Sequence, residues 1–149
     1  MNDPEMLRQG IKLVGQDAVL LLAACPQLLK VRELDLSDNG IGPWGTAPLG
    51  RSPYVVNVDV LDLSRNNLGS RFEVGIVSLI SGDYGRNLRN MRVLKLSGNR
   101  IGPLGPSAIA QSPHLNNLQE LDLSDNGIND DRGILQLVTT TLLSKLRSV

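Results

Sequence analysis

Cysteine and histidine are nearly absent: in 149 residues there is one of each, Cys25 and His114. A lone cysteine forms no internal disulfide, so a disulfide-stapled secreted fold is excluded. No Asn-x-Ser or Asn-x-Thr glycosylation acceptor occurs either. Charge of one sign is also missing. Lys plus Arg number 15, Asp plus Glu number 15, and the formal net charge is +0. The chain therefore has no overall field to draw in nucleic acid or an anionic membrane. No apolar run approaches the roughly 18 residues of a membrane span, and the opening Met1-Asn2-Asp3-Pro4-Glu5 lacks the basic and apolar blocks of a secretory signal. These absences predict an intracellular, cytoplasmic protein that contacts neither nucleic acid nor membrane.

What the chain does have is one stretch repeated four times. It runs from Val31 to Ile41, from Val58 to Leu68, from Met91 to Ile101 and from Leu118 to Ile128. Each copy reads apolar-x-x-Leu-x-Leu-Ser-x-Asn-x-Leu/Ile, and the central Leu34, Leu61, Leu94 and Leu121 are spaced 27, 33 and 27 residues apart. A recurrence in that range is the mark of a solenoid. Within each copy the Leu-x-Leu alternation has the period of a short strand, so Leu34 and Leu36 point one way while Glu33, Asp35 and Ser37 point the other. Successive copies then stack as a parallel sheet. Asn39, Asn66, Asn99 and Asn126 stand where the chain leaves the strand. A side-chain amide both donates and accepts, which suits it to backbone groups left unpaired there. Asn39-Gly40 and Asn126-Gly127 would ordinarily signal a two-residue hairpin. The same register elsewhere reads Asn66-Asn67 and Asn99-Arg100, so a hairpin is rejected.

These motifs resemble the leucine-rich-repeat family, and the near-27 period with a helical half resembles its ribonuclease-inhibitor-like class. The resemblance implies an α/β solenoid, with a short parallel sheet on the concave face and helices or 3₁₀ turns on the convex face. It also implies that Asn39, Asn66, Asn99 and Asn126 form a buried asparagine ladder. One domain spans 1–149: an N-terminal cap or degenerate repeat at 1–30, then repeats at 31–57, 58–90, 91–117 and 118–149. One repeat cannot bury its own apolar face, so stacking is obligatory and the repeats serve first as scaffold.

The connecting halves differ. Residues 16–24, with Val19-Leu20-Leu21-Leu22, read as a helix closing the first end. The first outer half, Pro43-Trp44-Gly45-Thr46-Ala47-Pro48-Leu49-Gly50, has enough breakers to predict a single 3₁₀ turn. The second opens with Ser70-x-x-Glu73, a capping-box pattern, and predicts the longest internal helix, ended by Gly82-Asp83-Tyr84-Gly85. Residues 103–111 predict another helix. The apolar spacing of Leu135, Val138, Leu142 and Leu146 predicts a final helix over 134–146 that closes the C-terminal end.

Chemistry finds few footholds. Gly40-x-Gly42-x-x-Gly45 formally matches a dinucleotide fingerprint. However, the third repeat carries Gly102 and Gly105 in the same register, which assigns these glycines to the repeat turn, and Pro43 removes an amide a phosphate would use. By repeat alignment Cys25 and His114 lie about three strand spacings apart, on the order of 15 Å, too far for a nucleophile and its base. A histidine- or cysteine-based metal site is excluded on the same count. Ser37, Ser64, Ser97 and Ser124 have no histidine beside them and read as inner lining of the sheet. Trp44, aligned with Leu104, is expected to pack. Arg86, Arg89 and Arg92 read as a solvated loop. No catalytic residue, metal or cofactor is therefore expected.

The remaining candidate is the outward face of the sheet: Glu33 and Asp35, Val60 and Asp62, Val93 and Lys95, Glu120 and Asp122. Its five acids and one lysine, in rows about 4.8 Å apart, would steer a basic protein or peptide segment. The resemblance implies a non-enzymatic protein-recognition module using this face and adjoining loops. The competing expectations are a regulator resembling leucine-rich GTPase-activating proteins and a ligand-free structural or designed repeat.

Overall fold

The Leu-x-Leu pairs do form strands, each three residues long. In a computed structural model of the protein, residues 15–69, 74–81, 83 and 85–148 are described. Within them β1 (Glu33–Asp35), β2 (Val60–Asp62), β3 (Val93–Lys95) and β4 (Glu120–Asp122) build one parallel sheet in sequence order. Leu34, Leu61, Leu94 and Leu121 sit opposite one another in the ladder, as the repeat alignment requires. Five helices lie on the other side: α1 (Gly15–Ala23), α2 (Ala47–Arg51), α3 (Val74–Ile80), α4 (Leu104–Ala110) and α5 (Asp131–Thr139), each packed on the next. Short 3₁₀ turns, Pro26–Lys30 and Gly85–Leu88, lead into β1 and β3.

The core lies between sheet and helices and is built of rows that repeat the coil. Leu28, Val55, Leu88, Leu115 and Leu143 form one buried row, and Val31, Val58, Met91 and Leu118 another. Ile41, Leu68 and Ile101 lie beneath the turn that leaves each strand. The turn itself is common to the four copies. Its residue after the serine (Asp38, Arg65, Gly98, Asp125) and its residue after the asparagine (Gly40, Asn67, Arg100, Gly127) all have φ between 54° and 68°. Left-handed backbone suits Gly, Asn and Asp best, which is why those types recur there without being obligatory.

Four expectations about the outer halves need correction or restriction. Residues 47–51 are a short α-helix instead of a 3₁₀ turn, because the breakers fall where they do no harm. Pro48 lies in the first turn, where a missing N–H costs nothing, and Gly45 lets the chain pass Ile41, whose atoms would lie 2.4 Å from any added Cβ. The second outer half contributes α3, whose seven described residues equal those of α4, and the expectation that it holds the longest internal helix turns on residues 70–73, which lie outside the described residues. The Ser70 to Glu73 capping box lies outside the described residues. The six additional residues of the second repeat fall on the helical side, between Leu68 and Leu88, and leave the strand register intact.

The fourth correction concerns the C-terminus. α5 stops at Thr139 instead of continuing to residue 146, and residues 140–148 begin another coil. Thr140 donates its hydroxyl to the Ala110 carbonyl, as Ser52 does to Ala23 and Ser112 to Ile80. The Leu146 amide donates to the Leu143 carbonyl at 2.9 Å, as Leu118 does to Leu115. Arg147 and Ser148 then donate to the Gln119 carbonyl, and the Leu121 amide reaches Ser148. The helical spacing of Leu135, Val138 and Leu142 misleads because those side chains are exposed, while the buried leucines are Leu137 and Leu143.

Candidate recognition face

The eight residues singled out on the outward face lie in two rows. Glu33, Val60, Val93 and Glu120 pair in one register, and Asp35, Asp62, Lys95 and Asp122 in the next. Strand alternation sends Leu36, Leu63, Leu96 and Leu123 into the core and these side chains outward. The valines are half-buried, whereas Glu33 and Glu120 at the two ends are exposed.

The carboxylates divide by their bonding. Asp35, Asp62 and Asp122 each accept the amide of the serine two residues on, all at 2.9 Å. These three therefore hold the strand-to-turn junction as well as line the face. Bonding to Ser37, first to its amide and then to its hydroxyl, holds the Asp35 carboxyl below the usual aspartate range. Lys95 and Arg65 add to this, and partial burial opposes it. For Asp122 the Ser124 hydroxyl dominates, followed by its amide. That hydroxyl lies 2.6 Å from Asp122 Oδ1 and 2.9 Å from Ser97 Oγ, which links two coils across the face. Lys95 Nζ is 3.6 Å from Asp62 Oδ2. The acidic character expected from counting residues is thus tempered in the second row by this pair and by the turn amides.

Beside the face, the asparagines are buried and bonded. Asn66 Oδ1 accepts the amides of Asn39 and Ile41, and Asn66 Nδ2 donates to the carbonyls of Leu36, Leu63 and Ser64. Asn99 and Asn126 repeat this pattern one coil on. Asn39, buried at the first end, donates to the Ser37 carbonyl, but its Oδ1 has no partner among the described residues. A second asparagine row was missed in the sequence. Asn57, Asn90 and Asn117, each just before a strand-leading apolar residue, donate to the carbonyls of Leu29, Val56 and Arg89 in the preceding coil. Their spacing of 33 and 27 residues matches that of the leucines and could have revealed them.

Trp44 does not pack as expected. It is 65% exposed, and its counterpart Leu104 is 63% exposed. Both stand where the chain turns from strand to helix, and the breadth of that loop leaves them outside the core. Cys25 and His114 lie in different coils, with Cys25 Sγ 2.9 Å from Gln27 Oε1. Among the described residues no three His, Cys, Asp or Glu side chains are grouped to hold a metal ion, and no helix is long and apolar enough to cross a membrane.

Three segments, residues 27–49, 87–110 and 114–131, match the family model described as Leucine Rich repeat. Their positions coincide with the coils around β1, β3 and β4. The fold is a leucine-rich-repeat solenoid. The longest interval between matches, 50–86, holds most of the second repeat with its extra residues. No curated protein matches the chain. Leucine-rich repeats generally mediate protein–protein interaction and are typically non-enzymatic.

Proposed function

We propose that this solenoid is a non-enzymatic recognition module that binds a protein or peptide, with basic character, through Glu33, Asp35, Val60, Asp62, Val93, Lys95, Glu120 and Asp122. The observation that carries the reading is the pair of uninterrupted rows in parallel register, with valines at the centre of the first row and acids at the outer positions of both. A partner can desolvate the valines while its own positive charges meet the rim. The balanced net charge and the absence of a basic stripe on the face weigh against nucleic acid. Helical outer segments and the near-27-residue period support placement in the ribonuclease-inhibitor-like class. The lone cysteine supports an intracellular, cytoplasmic setting.

Affinity capture with the wild type and with Val60→Arg/Val93→Arg tests the reading, both proteins first shown to melt alike by circular dichroism. A partner lost by the variant, and lost again when the binding is rebuilt from purified components, supports it. Equal binding moves the site off this face. Accelerated GTP hydrolysis by a purified small GTPase would instead favour the regulatory alternative.

A further inference from the structure

The two glutamates of the first row point to the form of the ligand. Glu33 and Glu120 are exposed, and their carboxylates take no hydrogen bond or ion pair among the described residues, unlike the three aspartates tied to their own turns. They take the outer positions of the four-strand row Glu33, Val60, Val93, Glu120, and an isolated parallel bridge adds Ser148 beyond Glu120. Three strand spacings of about 4.8 Å separate them, roughly 14 Å in all. Half-buried Val60 and Val93 lie between.

An extended peptide rises about 3.3–3.4 Å per residue and places side chains i, i+2 and i+4 on one face, so i and i+4 stand roughly 13 Å apart. A helix whose same-face residues are seven apart spans only about 10.5 Å. Accepting the concave face as the binding surface, we propose that the ligand is an extended segment crossing the strands along this row. It carries Lys or Arg at i and i+4, over Glu33 and Glu120, and an apolar side chain at i+2 on the Val60–Val93 pair. The side chains at i+1 and i+3 face away, so their identity is free. Charge complementarity sets the ends, and burial of the central side chain supplies the contact that salt does not screen.

Fluorescence polarisation with synthetic labelled peptides tests this. One peptide carries Lys-Ser-Leu-Ser-Lys within a Gly/Ser context, and a second carries Lys-Ser-Leu-Lys-Ser, which shortens the spacing by one. Wild type is expected to bind the first about threefold more tightly, the size of effect that one exposed ion pair supplies. Glu33→Gln/Glu120→Gln should erase that preference, and Val60→Arg/Val93→Arg should abolish binding of both. Equal affinity of wild type for the two peptides, no binding of either, or a preference that survives the glutamine variant overturns the proposed register. If wild type binds and the arginine variant loses that binding, the concave-face reading stands without the register. Undiminished binding by the arginine variant overturns both.

Discussion

Asn66 Oδ1 accepts the backbone amide of Asn39 at 3.0 Å, one coil away. That contact and its repeats tie each turn to the next through a side chain that the turn itself buries. Substituting Asn66→Ala strands the amides of Asn39 and Ile41 and the Leu36 carbonyl in the interior, while the Leu63 and Ser64 carbonyls keep the Asn99 side chain and the Asp38 amide. At about 1–3 kcal/mol per buried group left unpaired, with partial relaxation, a loss of about 3–5 kcal/mol is expected. Asn39→Ala removes one donated bond and an oxygen without a partner among the described residues, so it should cost about 1 kcal/mol. Urea melts of the two variants check the contrast, and equal losses would refute it.

Two glycines should respond very differently to a methyl group. A Cβ at Gly69 would lie 1.7 Å from the Arg100 carbonyl oxygen, which is backbone and cannot swing aside. Gly69→Ala is therefore expected to cost about 3 kcal/mol or more. Gly127, at φ +66°, has nothing within 4 Å, so Gly127→Ala meets only left-handed strain of about 1 kcal/mol. Thermal melts of both proteins decide it.

Acid should weaken the fold in part through Asp35 and Asp122. Both carboxyls sit below the ordinary value of 3.8 in the folded chain. Their contribution is present above that value and fades as pH falls through it towards the lower folded value. Asp35→Asn/Asp122→Asn keeps an oxygen for the serine amides but removes the charge. Its stability is expected to fall less than wild type between about pH 5 and pH 3, measured as the urea midpoint at each pH. Identical pH profiles would assign the acid loss elsewhere.

Thr140 tests the C-terminal correction. If residues 140–148 begin a coil, Thr140→Val loses the bond to the Ala110 carbonyl and the one accepted from the Leu142 amide. A cost of about 1 kcal/mol follows. In a helix running on to residue 146 the same change would be close to neutral.

The sheet was legible in the sequence because Leu34, Leu61, Leu94 and Leu121 recur with the same neighbours, and a ladder of identical rungs admits one register. The outward direction of the face residues came from the same alternation. The helices were less legible. Pro48 and Gly45 look like breakers until their places in the first turn and against Ile41 are seen. Leu135, Val138 and Leu142 keep helical spacing yet stand in solvent, while the buried Leu143 carries the true repeat. The bonding of Asp35, Asp62 and Asp122 to serine amides was also invisible, because composition counts a carboxylate without saying which donor it has found.

The second repeat carries its six extra residues between Leu68 and Leu88, yet Val60 and Val93 still meet rung to rung. Insertions on the convex rim are thus mechanically decoupled from the inner lattice. The backs of the coils can be lengthened, shortened or recomposed while the rows of the inner surface keep their register, and the side chains of those rows can be exchanged without refolding the backs.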